Sequence, residues 1–138
     1  MYKQREHAEK IFEEGYNCAQ AVAGAFEAET GIDKGLIMKM SAGFGGGVSH
    51  LREVCGAVSG MILVMGLVYG KEEAVLSEEK NKQNERFAEL ALSFKKEFGC
   101  LRCGELLEKN TEDIPQRQYC TRFVSKAAEI VAKEMPGA

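Results

Sequence analysis

The residues of this chain best suited to chemistry are its cysteines, of which there are five among 138 residues. Four of them stand where the sequence pattern predicts the beginning of a helix: Cys18, Cys55, Cys103 and Cys120. A helix N-terminus presents unpaired backbone N–H groups and a partial positive charge, and both favour a thiolate over a thiol. We therefore expect these thiols to have depressed pKa values and to be gathered by the fold around one site, as metal ligands or as redox-active groups.

The segment Cys100-Leu-Arg-Cys103 places two cysteines at C-x-x-C spacing. This spacing suits a disulfide oxidoreductase or half of a metal site, because both sulfurs can point to one side of a turn. No βαβ pattern surrounds it, which argues against a thioredoxin fold, and the absence of a second C-x-x-C argues against a zinc ribbon. The close cysteine spacing of ferredoxins is missing too. A four-sulfur site would have to be assembled from distant segments.

Small residues follow Cys55, and among them Gly56 and Gly60 lie on one face of the predicted helix. Each glycine costs a helix about 1 kcal/mol relative to alanine, so something must need the close approach. One explanation is that another helix backbone packs there. The other is that a cluster, a ligand or a disulfide occupies the space, and we expect Gly56 and Gly60 to contribute to a cofactor site.

A glycine-rich run, residues 41–47, leads into the segment that contains Cys55. Consecutive N–H groups at Gly45 and Gly46 could cradle an anion or a cofactor, although the run matches neither the dinucleotide fingerprint nor the P-loop. The alternative is a tight connection between two helices. His50 follows the run and is either a proton relay or ligand, or a capping or solvated residue.

Composition and periodicity predict one all-α domain over residues 1–138, a compact helical bundle around a central, apolar, glycine-containing helix. Capping and stop signals place the helices at about 2–15, 17–31 (capped by Asn17), 33–40 (capped by Asp33), 51–69 (capped by Ser49), 77–99, 103–107 and 122–134. The methionines at 38, 40, 61 and 65 are interpreted as core filler.

Charge and hydropathy exclude several classes of function. A net charge of −3 without a basic stripe argues against nucleic acid as a partner. The most apolar run, Val58 to Tyr69, is too short to span a bilayer, and the N-terminus has no apolar signal region. We therefore expect a cytoplasmic protein, in which cysteines are metal ligands or redox-active thiols rather than permanent disulfides.

Several segments resemble the C_GCAxxG_C_C family, whose members are described as redox-active bacterial and archaeal proteins. They are Gly15-Tyr-Asn-Cys18-Ala-Gln-Ala-Val, Ser41-Ala-Gly-Phe-Gly-Gly-Gly, Glu53-Val-Cys55-Gly-Ala-Val-Ser-Gly60, Cys103-Gly-Glu-Leu-Leu and Cys120 ahead of Phe123-Val124. The resemblance implies that Cys18, Cys55, Cys103 and Cys120 are the functional set and that Cys100 is additional to it. It also implies a redox or prosthetic-group role, with iron–sulfur binding suggested.

The leading hypothesis is a redox-active protein whose four cysteines converge. They would bind an iron–sulfur cluster or a single metal ion, or cycle between dithiol and disulfide, and exchange electrons with a partner or oxidoreductase. The alternative is a non-catalytic binding or interaction module, for a metal, a small molecule or another protein, with structural cysteines. The oligomeric state is left open by the sequence.

Overall fold

The computed structural model describes residues 2–136, and within that range the chain is built from helices, with a single isolated bridge between Val54 and Arg102 as its only β pairing. The helices are α1 Lys3–Glu13, α2 Cys18–Gly24, α3 Glu27–Thr30, α4 Lys34–Met40, α5 Gly56–Tyr69, α6 Ser77–Phe98, α7 Cys103–Glu108 and α8 Gln116–Glu134, with a 3₁₀ turn over Ala42–Phe44. The predicted all-α fold is confirmed.

Helix α5 lies at the centre of the fold and packs against α2, α6 and α8. Its predicted apolar character is matched by burial of Val58, Met61 and Met65 at 1% exposure or less. The predicted start at Leu51, however, is wrong, because the helix begins at Gly56. Most of the residues just ahead of it have positive φ values, which a right-handed α-helix does not contain.

The left-handed segment extends through five consecutive residues, 46–50, and resumes at Arg52. It includes Val48, Ser49 and His50 at φ values of 66°, 48° and 65°. Ser49 was predicted to cap the central helix, but its hydroxyl instead donates to the Gly43 carbonyl oxygen at 3.0 Å. Non-glycine residues in this conformation cost about 1–2 kcal/mol each, so the surrounding contacts must hold the segment in place.

Helix α2 begins at Cys18 because Asn17 and Gln20 form a reciprocal cap ahead of it. The Asn17 side-chain oxygen accepts from the Gln20 N–H at 2.8 Å, and the Gln20 side-chain oxygen accepts from the Asn17 N–H at 3.0 Å. The predicted Asn17 cap is confirmed, and so is the Asp33 cap of α4. Such caps satisfy N–H groups that a helix end would otherwise leave unpaired.

Two predicted boundaries are wrong. The helix predicted over 17–31 stops at Gly24 and restarts as α3, which ends at Gly31 with φ 71°. The last helix begins at Gln116, six residues earlier than predicted, so Cys120 is the fifth residue of α8 and does not precede it. Pro115 supplies this earlier start, since proline fixes φ near the helical value and lacks the N–H that a first turn leaves unpaired.

The core is formed by the predicted apolar faces of α2, α6 and α8, with Phe26, Phe94 and Val124 fully buried. Met40 departs from the prediction, because it lies at the end of α4 with 53% of its surface exposed. No helix within residues 2–136 combines the length and the apolar character needed to cross a bilayer.

The closest helix pair depends on Gly60, where α5 crosses α2. A Cβ at this position would lie 2.7 Å from the Ala19 carbonyl oxygen and 3.1 Å from the Ala19 Cα, which are backbone atoms that cannot move aside. Gly60→Ala is therefore expected to lower the free energy of unfolding by about 1–3 kcal/mol. Gly66→Ala is the matched control, since a Cβ there meets nothing within 4 Å; it should raise stability by about 0.5–1 kcal/mol. Urea unfolding of both variants checks this, and equal effects would contradict it.

Candidate thiol site

The four cysteines of the predicted set line one pocket of about 230 Å³ between α1, α2, α5, α7 and α8. Cys18 is the first residue of α2, Cys55 immediately precedes α5, Cys103 is the first residue of α7 and Cys120 lies in α8. Cys100 does not line the pocket and is buried in the hydrophobic core. The C-x-x-C spacing therefore contributes only one sulfur to this pocket.

Cys55 and Cys103 are brought together by a short antiparallel pairing of the segments that precede α5 and α7. The Cys55 N–H donates to the Leu101 carbonyl oxygen at 2.8 Å, and the Cys103 N–H donates to the Glu53 carbonyl oxygen at 2.6 Å. These two hydrogen bonds flank the Val54–Arg102 bridge. The pairing fixes both cysteines through their backbones, so their positions do not depend on their own side-chain contacts.

The glycine-rich run closes one side of the pocket and allows close contact with the cysteine segments. A Cβ at Gly47, where φ is 71°, would lie 2.7 Å from the Cys103 Cβ. A Cβ at Gly46 would lie 2.7 Å from the His50 ring, and both Gly46 and His50 line the pocket. Gly47 was not among the four glycines predicted to hold a cofactor. A Cβ there would nevertheless lie closer to a cysteine than one at Gly56, which would be 3.2 Å from the Cys18 Cβ.

The four glycines predicted to hold a cofactor divide into two groups. Gly46 and Gly56 line the pocket, whereas Gly45 and Gly60 do not. Gly45 packs against the Asn17 side chain, and Gly60 packs against the backbone of α2. Gly56 lines the pocket and also allows close packing, since a Cβ there would lie 2.9 Å from the Phe44 carbonyl oxygen and 3.2 Å from the Cys18 Cβ. Helix packing therefore accounts for Gly60, and a cofactor role for Gly45 and Gly60 stays a prediction.

Cys18 and Cys120 line the same pocket, and their pKa values are displaced in opposite directions. Hydrogen bonding with Cys120 and burial raise the pKa of the Cys18 thiol well above its ordinary value. Hydrogen bonding with Cys18 lowers the pKa of Cys120, burial opposes it, and the Arg117 and Arg52 guanidinium groups lower it further. A thiolate is therefore favoured at Cys120 rather than at Cys18.

Cys55 contradicts the expectation that a cysteine at a helix start is acidic. Burial raises the pKa of the Cys55 thiol to about 12, although the backbone N–H groups of Ala57 and Val58 act in the opposite direction. The thiol is only 3% exposed, so the loss of hydration outweighs the favourable field of the helix end. The pKa directions of Cys18 and Cys55 are opposite to the expectation. The pKa of Cys120 is lowered, but by Cys18 and the two arginines rather than by a helix start.

Two arginines reach the thiols from distant parts of the chain. The Arg52 Nη1 donates to the Cys103 sulfur at 3.5 Å, and Arg117 lies on the first turn of α8. Both line the pocket. Neither residue was identified from the sequence. The contact of Arg52 with Cys103 spans 51 positions and has no local signal, whereas Arg117 is three positions before Cys120 on a helix whose start was predicted too late. The pocket is therefore a set of thiols beside fixed positive charge, which favours thiolate chemistry.

The donors in this arrangement do not fit a shared metal ion. Across residues 2–136, no three His, Cys, Asp or Glu side chains stand close enough together to hold one metal. All five thiols are free, without a disulfide between them. The four thiols of Cys18, Cys55, Cys103 and Cys120 line one pocket, and Cys18 and Cys120 displace one another's pKa values.

The pKa directions predict an order of alkylation in the reduced, folded protein. At pH 7, iodoacetamide should modify Cys120 first and both Cys18 and Cys55 much more slowly, because only thiolates react and the thiolate fraction falls about tenfold for each unit by which a pKa rises. The Cys120 rate should reach its plateau below the pH range of an ordinary thiol. Timed quenching followed by peptide mass spectrometry measures the order, and denatured protein, where all five should react alike, is the control. Cys55 reacting as fast as Cys120 in folded protein would contradict the prediction.

Comparison with known proteins gives one match. A family model described as "Putative redox-active protein (C_GCAxxG_C_C)" matches residues 16–134, nearly the whole chain and all four pocket cysteines. No curated protein and no solved structure matches.

Proposed function

This chain belongs to the C_GCAxxG_C_C family, and from that premise we propose that it is a thiol–disulfide redox protein in which Cys120 and Cys18 cycle between dithiol and disulfide. The observation that carries the proposal is that Cys18 and Cys120 line one pocket together with Arg52 and Arg117. In this pocket the pKa of Cys120 is lowered and that of Cys18 is raised. A dithiol reductant needs such a division, with one thiolate to attack and one protonated thiol held beside it.

The reaction begins with attack of the Cys120 thiolate on one sulfur of a substrate disulfide. A bond forms between Cys120 and that sulfur, the substrate S–S bond breaks, and the first product leaves as a thiolate, which takes the Cys18 proton. The Cys18 thiolate then attacks Cys120 in the mixed disulfide and releases the second product thiolate. One substrate disulfide is reduced to two thiols and the protein dithiol is oxidised to one disulfide, so electrons and atoms balance.

Cys55 and Cys103 form a second pair of thiols within the same pocket, held by backbone pairing. Arg52 donates to the Cys103 sulfur at 3.5 Å, so a positive charge lies beside this thiol. Cys103 can therefore exchange with a Cys18–Cys120 disulfide and pass oxidation to Cys55. A reduced external thiol or an oxidoreductase partner must regenerate the dithiol, and this is the partner that the proposal requires.

An iron–sulfur cluster or a single metal ion is the second candidate, because thiolates bind both and all four cysteines line one pocket. The present spacing of the donors does not fit one metal. We therefore derive no step through a metal, and the dithiol cycle is the function that the geometry supports best.

A stoichiometric reaction tests the proposal. Reduced protein, prepared without oxygen, is mixed with excess bis(2-hydroxyethyl) disulfide, and the released thiol is counted. Two thiols per chain are expected from the Cys18–Cys120 pair, or four if oxidation also reaches Cys55 and Cys103. Cys18→Ser should release one thiol and retain the mixed disulfide. If the folded wild-type protein releases no thiol, the proposal is overturned and the alternative of a non-catalytic binding or interaction module is favoured.

A further inference from the structure

The thiol pocket carries a positive charge that is opposite to the net charge of the chain. The chain as a whole has a net charge of −3, yet the side chains that line the pocket include Arg52, Arg117 and His50 and no aspartate or glutamate. The ion pairs found within residues 2–136 use other basic side chains, and none includes Arg52 or Arg117. Two guanidinium charges therefore face the pocket without a carboxylate to neutralise them.

Arg117 is held rigidly by one end of its guanidinium group. Its Nη2 donates to the carbonyl oxygens of Phe12 and Tyr16, the latter at 2.8 Å, and the group lies 4.0 Å from the centre of the Phe12 ring. Among the hydrogen bonds of the described residues, none uses Nη1 or Nε of Arg117. A guanidinium with five donors, fixed through two of them, keeps the remaining N–H groups for an acceptor that enters the pocket.

Arg52 is placed in the pocket at a conformational cost. Its φ is 63°, and its backbone N–H donates to the Gly46 carbonyl oxygen at 3.1 Å, which holds it at the end of the left-handed segment. A non-glycine residue rarely adopts this conformation, and such residues concentrate at functional sites. The guanidinium donates through Nη1 to the Cys103 sulfur, and it lines the same pocket as Arg117.

We propose that Arg52 and Arg117 form an anion subsite beside the reactive thiols, and that the substrates are small disulfides bearing a carboxylate or a similar anionic group. This inference rests on the proposed function for its reaction, and for its substrate class on two guanidinium charges that face the pocket against the single charge of the Cys120 thiolate. The pocket volume of about 230 Å³ is below the roughly 300–1,000 Å³ of pockets that enclose drug-sized ligands, so the substrate, or the part of it that enters, is small.

The anionic group takes no part in the bond exchange. It binds to the free N–H groups of Arg117 and to Arg52 while the disulfide sulfur meets the Cys120 thiolate. The substrate disulfide gains two electrons, the Cys18–Cys120 pair loses them, and the charge on the anionic group is the same in substrate and product. Binding through the charge therefore selects the substrate without altering the chemistry.

A pair of alkylating reagents tests the subsite without any disulfide exchange. Iodoacetate and iodoacetamide differ mainly in charge, and the rate ratio of iodoacetate to iodoacetamide at Cys120 is measured by peptide mass spectrometry. The ratio is expected to exceed that of the neutral thiol 2-mercaptoethanol by about tenfold, and to fall as salt is added. Arg117→Met and Arg52→Met should each lower it severalfold. Arg122→Met is the matched control, because Arg122 also lies on α8 over an aromatic ring, that of Tyr119, but does not line the pocket.

A series of substrates separates failure of the subsite from failure of the proposed reaction. Dithiodipropionate, bis(2-hydroxyethyl) disulfide and cystamine are small disulfides that carry negative, zero and positive charge, and thiol release should fall in that order. Release without a charge preference, together with an unchanged alkylation ratio in Arg117→Met, would overturn the anion subsite while leaving the dithiol cycle intact. A high alkylation ratio without thiol release would support the subsite and overturn the cycle.

Discussion

Cys120→Ser is expected to reduce the rate of thiol release from a small disulfide about 100-fold or more. The variant removes the one pocket thiol whose pKa is lowered, while the thiols of Cys18 and Cys55 have raised pKa values and are almost wholly protonated at pH 7. Serine is nearly the same size, so the pocket should keep its shape. Stopped-flow measurement of thiol release from the reduced variant checks the prediction.

Cys100→Ala is the control for this loss, because Cys100 is buried in the core and does not line the pocket. Its release rate should match that of the wild-type protein, even if its stability falls slightly. A Cys120→Ser variant that keeps the wild-type rate would mean that another thiol attacks first. Loss of the rate in Cys100→Ala as well as in Cys120→Ser would assign the effect to general damage.

Two substitutions of Cys18 are expected to separate its role as a hydrogen-bond donor from its role in forming the disulfide. The hydrogen bond from Cys18 is the largest cause of the lowered Cys120 pKa, so Cys18→Ala should raise that pKa toward its ordinary value. The thiolate fraction at pH 7 then falls, by about tenfold for each unit of pKa. Cys18→Ser keeps an O–H donor and should shift the pKa less.

The pH profile of Cys120 alkylation measures both effects. The half-maximal rate should occur at the lowest pH in the wild-type protein, at a higher pH in Cys18→Ser and at the highest pH in Cys18→Ala. Both variants should stop at the mixed disulfide and release one thiol, since neither can form the second bond. Identical pH profiles in the three proteins would show that the Cys18 hydrogen bond does not activate Cys120.

Most of the fold follows from features that can be seen locally in the sequence. Apolar periodicity identifies the buried faces of α6 and α8, and the Asn17 cap and the Gly31 and Gly99 stops are short-range signals that the structure retains. The left-handed segment could not be predicted, because Val48, Ser49 and His50 have no preference for positive φ. Their conformation is imposed by backbone hydrogen bonds within the loop, such as that from Ser49 to Gly43.

The sequence analysis identified the four thiols of the candidate site but not their pKa directions or the arginines beside them. The positions of Cys18, Cys55, Cys103 and Cys120 indicated one site, and the structure places all four around one pocket. Burial is the main cause of the raised pKa of Cys55. This burial depends on how distant helices pack, and the position of Cys55 at a helix start does not reveal it. Arg117 lies three positions before Cys120 on α8, and it was missed because this helix was predicted to begin only at residue 122.

Non-reducing peptide mapping of oxidised protein, with metal analysis of the same anaerobic preparation, tests the central claim most directly. Reduced, folded protein is oxidised with one equivalent of a small disulfide, alkylated under acid quench and digested. We expect a peptide pair that joins Cys18 to Cys120 and a mass lower by two hydrogens than that of the reduced chain, with no stoichiometric metal before oxidation. A preparation that carries stoichiometric iron or another metal, or an oxidised protein in which Cys18 and Cys120 stay unlinked, would contradict the account.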